Sequence, residues 1–133
     1  MNPEKTIQIC GRDVTLRYCA ATETGFEQLA NKPITVFKPI QIKDAEGKVI
    51  DVQPGPATSQ DYIMLATAAI IAAADYRGEE QPISVKEILY ETTPEDIKQL
   101  VDAVIDLSAK WYKVSPVVKP ETDEKPADDS KNA

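Results

Sequence analysis

The chain has 133 residues, enough for one domain that buries a core of its own without metal or disulfide staples. Its 22 acidic and 15 basic residues give a formal charge of -7, which excludes bulk electrostatic attraction to nucleic acid or to an anionic membrane. Histidine is absent and the five glycines are scattered, so the commonest general base, the commonest neutral metal ligand and the glycine-rich phosphate cradle are all missing.

The stretch MNPEKTIQIC has no apolar run of the kind a signal peptide requires, and a cytoplasmic protein is expected. Residues 7 to 18, IQICGRDVTLRY, alternate apolar and polar on both sides of Gly11-Arg12. That spacing predicts a hairpin with a type II′ turn, Gly11 taking the positive φ, so that Ile9 faces Val14 and Ile7 faces Leu16 on one apolar side. Cys10 would then face Asp13, with Cys19 roughly 20 Å further along, beyond the ~7 Å that a disulfide spans, so free thiols are expected. With Arg17 as its only cationic neighbour in sequence, Cys19 reads as an ordinary thiol and not a nucleophile.

In ATETGFEQLANKP, Thr22 or Thr24 is the expected cap of a short helix, with Glu27 closing a capping box on Thr24 and Pro33 ending the segment. Phe26, Leu29 and Ala30 supply its apolar stripe. PIQIKDAEGKVIDV then predicts a second hairpin with a loop Ala45-Glu46-Gly47, pairing Ile42 with Ile50, Ile40 with Val52 and Asp44 with Lys48. QPGPATS is a rigid connector, and Thr58 or Ser59 caps a helix over 59–77. This helix is apolar nearly all the way round and rich in alanine, which marks it as the centre of the domain. Its most apolar stretch, the 13 residues from Tyr62 to Ala74, falls short of the roughly 20 that span a membrane.

Ser84 and Glu87 form the next capping box, with Ile83 and Ile88 placed as a hydrophobic staple. Thr93, Pro94 and the acids after them open a long helix whose apolar face runs through Ile97, Leu100, Val101, Val104, Leu107, Ser108 and Trp111. Asp102 and Asp106 belong to its solvated face, which is the plainer reading than a metal site or an acid/base pair. KWYK, residues 110 to 113, interleaves aromatics with lysines as single-strand binders do, but Trp111 continues the apolar stripe and points to core or partner contact. Residues 114–133, rich in proline and charge, are expected to be a disordered acidic tail. The expected architecture is a single α+β domain over 1–113, with N-terminal antiparallel hairpins packed on a mainly helical C-terminal part.

In this order the elements resemble the tail assembly chaperones of long-tailed bacteriophages and prophages. The residues that carry the resemblance are DVTLRYCAATETGFEQLANKP, a strand running into a short helix; the alanine-rich SQDYIMLATAAIIAAADY; and ISVKEILYETTPEDIKQLVDAVIDLSAKW, a capped helix followed by a long one. It covers about residues 12 to 113, and the segment TVFKPIQIKDAEGKVIDVQPGP is longer than the family pattern. The resemblance implies a non-enzymatic protein without cofactors. It would bind the tape measure protein, and through assembly the tail tube protein, in the host cytoplasm, and would not be retained in the virion. It also implies a longer frameshifted form, for which codons at Ser130 to Asn132 are the place to look.

An apolar groove on a small acidic domain suits that role, since a tape measure helix exposes a stripe that aggregates when uncovered. Tyr62, Leu65, Leu100, Val104, Leu107 and Trp111 are the candidate partner-binding residues; no catalytic, cofactor or metal residues are expected. An exposed sheet edge or helix face would favour homo-oligomers. The alternatives are an acidic adaptor or inhibitor module that binds a basic protein partner, and, behind it, a hydrolase using Asp and Glu with a metal.

Overall fold

The computed structural model describes residues 2–113. In chain order the elements are β1 (Glu4–Ile9), β2 (Arg12–Arg17), α1 (Ala20–Ala30), a 3-10 turn (Ile34–Phe37), β3 (Ile40–Lys43), β4 (Val49–Gln53), α2 (Ser59–Arg77), α3 (Val85–Tyr90) and α4 (Pro94–Tyr112). The fold is α+β: two antiparallel hairpins precede a mainly helical part, and they form two separate two-stranded sheets. The tail expected over 114–133 lies outside the described residues.

The first hairpin keeps the expected face but not the expected register. Ile7 faces Val14 and Ile9 faces Arg12, because the turn is Cys10-Gly11 with φ of 53° and 74°, both positive as in a type I′ turn. Partners therefore move by two positions, and since side chains alternate with period two, Ile9, Val14 and Leu16 still point inward and are fully buried. Contacts at the tip favour this turn. Cys10 Sγ lies 3.7 Å from Glu91 O and 3.8 Å from Asp96 Oδ2, and Arg12 is free to donate to Pro82 O at 3.0 Å and Glu87 Oε2 at 2.7 Å.

α1 begins earlier than the Thr22 or Thr24 cap implied, with Cys19 as N-cap. Thr22 instead sits at the third helical position, wholly buried, donating its hydroxyl to Arg17 O at 2.6 Å and accepting from Cys19 N at 3.1 Å. Asn31, in the left-handed conformation, ends the helix two residues before Pro33.

α2, α3 and α4 start at Thr58, Ser84 and Thr93, each closing a capping box with Asp61, Glu87 and Asp96 respectively. Gly78, with φ of 67°, ends α2. α2 is the centre: α1, β2 and α4 pack around it, and β1 packs on α4. Ala66, Ala68, Ala69 and Ala73 let these neighbours approach closely; a Cβ added to Gly25 of α1 would sit 3.3 Å from Ala68 Cβ. The staple pair Ile83 and Ile88 is buried, closing the core beneath α3.

The second hairpin behaves differently. The loop closes as expected, with Asp44 N donating to Lys48 O and Gly47 at φ of 84°, but beyond it Lys43 faces Val49 while Ile42 faces Asp51. Ile50 is thus the extra residue of a bulge, and the pairing expected for Ile42 with Ile50 and Ile40 with Val52 slips by one. Isoleucines now share a face with Asp51 and Gln53, and valines share the other with Gln41 and Lys43. No apolar face results, and no residue of β3 or β4 belongs to the core or packs against it.

Candidate functional site

The six residues expected to line a partner groove do not form one. Leu65, Leu100, Val104 and Leu107 lie inside the core, with Leu65 2% exposed and the others 0%, so they have no surface to offer. The reason is that a periodic stripe on a helix marks whatever covers it, and α4 spends its stripe on β1 and α2. Tyr62 and Trp111 are half-buried, each in its own aromatic cluster. The Tyr62 ring stands edge-on to Phe37, centroids 4.9 Å apart, and Phe37 meets Phe26 at 4.8 Å. Trp111 tilts on Tyr18 at 6.0 Å, and Tyr112 stands edge-on to it at 6.4 Å.

What the surface does present is a groove between α1 and α2. Ala68, Ile71, Ala72 and Asp75 follow helical spacing on one side, and Ala21, Thr24, Gly25, Gln28 and Leu29 on the other. These two stripes enclose an open cleft of about 380 Å³, apolar along its floor, with Leu29 38% exposed on the wall and Asp75 exposed at one end. It exists because α2 has no polar side: wherever its neighbours leave it uncovered, an apolar strip shows. The all-apolar character of α2 and Gly25 in the middle of α1 were the sequence signals for it.

The second surface is the β3–β4 hairpin, here called the arm. Ile40, Ile42, Val49, Ile50 and Val52 are 37–61% exposed on an arm that buries none of its residues. Pro39 and the PGP at 54–56 bracket it in the sequence. Its root is fixed: Ala57 N donates to Val36 O at 3.0 Å, and Phe37 beside it is held by Phe26 and Tyr62.

Several charges on the body are engaged in structural work. Asp61, 2% exposed, accepts from Lys32 Nζ at 3.0 and 3.1 Å and from Thr58 N at 2.9 Å. Burial raises its pKa, but the Thr58 N–H and the Lys32 ammonium outweigh burial and leave it below the ordinary value. The Arg12 guanidinium, with the Ser84 N–H, brings Glu87 down to about 2. Glu4 joins Arg17 at 2.7 Å and Arg77 at 2.6 Å, and the Arg17 guanidinium also lies 3.7 Å over the Tyr76 ring. Asp102 pairs with Lys98 and Asp106 with Lys110, both one turn apart on exposed faces. Burial and then Asp96 raise the Cys10 thiol, the reverse of what a reactive cysteine requires. Among the described residues, no three His, Cys, Asp or Glu lie together in a way that could hold a metal ion. Nor is any helix of these residues long and apolar enough to cross a membrane.

No protein-family model, curated protein or solved structure matches the chain. The geometry offers an apolar cleft shaped by two helices and a projecting aliphatic arm, a surface suited to reversible contact with another chain.

Proposed function

We propose that this protein is a non-enzymatic binding protein of the tail assembly chaperone type, which covers the apolar stripe of a helical client in the α1–α2 groove. The client is the tape measure protein of a phage or prophage tail, kept soluble while tail tube protein assembles around it. This would happen in the host cytoplasm, with the chaperone left out of the virion. The groove carries the reading: Leu29 and the half-buried Ile71, over the buried Ala68 and Ala72, would meet apolar side chains of a client helix spaced three and four residues apart. The acidic body would add net charge to the complex, which favours solubility.

Co-expression with the long helical protein encoded nearby tests it. Soluble client and a co-eluting complex are expected, both lost with Leu29→Glu/Ile71→Glu, whose side chains lie outside the buried core. An insoluble client in the presence of the wild-type chain overturns the reading. The second reading, an acidic adaptor for a basic partner, is favoured by Asp75, Glu79 and Glu80, which make no ion pair among the described residues. It predicts binding that falls steeply with salt, whereas an apolar groove holds its client as salt rises.

A further inference from the structure

We infer that the β3–β4 arm of one copy seats in the α1–α2 groove of a second copy, so that the chain self-associates through arms and grooves until a client displaces the arm. Three features of the arm argue for it. A lone two-stranded hairpin is marginal in water, and this one leaves its aliphatic side chains exposed. Its clamped root holds it off its own core, which leaves another molecule to cover it. Its lysines are also available: Lys38, Lys43 and Lys48 make no ion pair among the described residues, as Lys86 and Lys113 of the body do not. The arm's acids are partly turned inward: Asp44 accepts from Glu46 N and Lys48 N, and Asp51 from Val52 N.

The groove is the complement. It is apolar along its α2 side and ends at Asp75, an exposed carboxylate without a cationic partner among the described residues. Four or five strand residues run roughly 13–17 Å and Ala68 to Asp75 spans about 10 Å along α2, so the groove would take part of the arm's length and leave the rest overhanging. The aliphatics of the arm would meet Leu29 and Ile71 while Lys43 or Lys48 reaches Asp75. Arm and groove are different surfaces, so each copy gives one and receives one, and the contacts either close into a ring or continue as a chain.

The displacement step rests on the groove being the client site; the self-association does not. Sedimentation velocity of the full chain without client, over a hundredfold range of concentration, should show a species larger than the monomer that grows with concentration. Ile42→Asp/Ile50→Asp should abolish it while leaving the circular dichroism and melting temperature unchanged, because both residues lie outside the core. Asp75→Lys alone, and Lys43→Glu/Lys48→Glu alone, should each weaken association by about tenfold, the scale of a few exposed charge pairs at low salt. Mixing those two variants should restore it, since a glutamate arm then meets a lysine groove. A wild-type monomer at every concentration, persistence of the oligomer in the arm variant, or failure of the mixture to recover association each overturns the inference. A monomer that still binds client overturns this inference alone, and an oligomer that ignores client overturns the client reading alone.

Discussion

Gly55 lies directly against the carbonyl of Lys38: a Cβ built on it would fall 2.4 Å from that oxygen and 2.7 Å from Val36 O. Both strands of the arm leave the body through this contact, which no side chain can enter. Gly55→Ala therefore has to push one root segment away from the other, and the neighbours are backbone atoms that cannot swing aside. A loss of about 1–3 kcal/mol is expected, the usual range for forced overpacking, read as a lower denaturant midpoint with unchanged slope. Amide exchange at Ala57 should rise more than exchange in α4, since the Ala57–Val36 hydrogen bond is the first to go.

Core and arm should separate cleanly in mutational stability. Leu100→Ala empties a fully buried position on α4 and should cost about 2–5 kcal/mol. Ile50→Asp, at a residue 61% exposed, should stay within about 0.5 kcal/mol of wild type. Thermal melts of the two variants check this. An Ile50 variant as damaged as the Leu100 variant would mean that the arm is packed on the body after all.

That contrast also marks what the sequence made legible. Three of the helices could be read because their signals are local: Thr58 or Ser59, Ser84 with Glu87, and Thr93 with Pro94 each mark a start within four residues. The hairpin registers were not, because a period-two pattern is unchanged by a slip of two at Cys10-Gly11, and a single bulge at Ile50 scrambles the faces of β4. The stripe of Leu100, Val104 and Leu107 is equally compatible with a partner and with a core, and only the placement of β1 and α2 decides. The groove was not legible because it is made by two helices separated by 28 residues in the chain, and neither Leu29 nor Ile71 looks unusual alone.

Lys32 and Asp61 should respond unequally to removal. Lys32→Ala strands a buried carboxylate with Thr58 N as its remaining neutral partner. It should cost about 1–2 kcal/mol, less than for a fully buried pair because the Lys32 side chain is 44% exposed. The folded pKa of Asp61 is depressed below 3.8, so the charged form stabilises the fold above that value and the contribution is lost as pH falls through the folded pKa. The difference between wild type and Lys32→Ala should accordingly be full at neutral pH and shrink in acid. Urea titrations at a series of pH values test it, and a difference that stays constant to pH 2 would refute the pairing.

Glu87 sets a second acid dependence. Its carboxyl is held at about 2 against an ordinary 4.5, chiefly by Arg12, so the stability it contributes is complete above about pH 4.5 and disappears between there and pH 2. Glu87→Gln removes that slope. Its acid unfolding curve should be flatter than that of the wild type over this window, with the tip of the first hairpin, anchored through Arg12, the first region to lose amide protection.

Glu23 connects the end of the chain's last described helix to its first. The Tyr18 hydroxyl donates to Glu23 Oε2 at 2.9 Å and the Tyr112 hydroxyl donates to the same oxygen. Tyr18 is 1% exposed and Tyr112 53%, so the two bonds are not equivalent. Burial and the carboxylate raise both phenols, Tyr112 to about 12 and Tyr18 further above 10, so the protonated forms stabilise the fold below pH 10 and are lost as pH rises through the folded values. Glu23→Leu leaves a buried hydroxyl without this acceptor and should cost about 1–3 kcal/mol, while Tyr112→Phe deletes an exposed partner and should be nearly neutral. Trp111, tilted against Tyr18, is the sole tryptophan and reports on the site directly. In Glu23→Leu its emission should shift to the red below the global unfolding midpoint, as the last turn of α4 lifts off Tyr18. Emission that changes only with the global transition would show that Trp111 is held by packing alone.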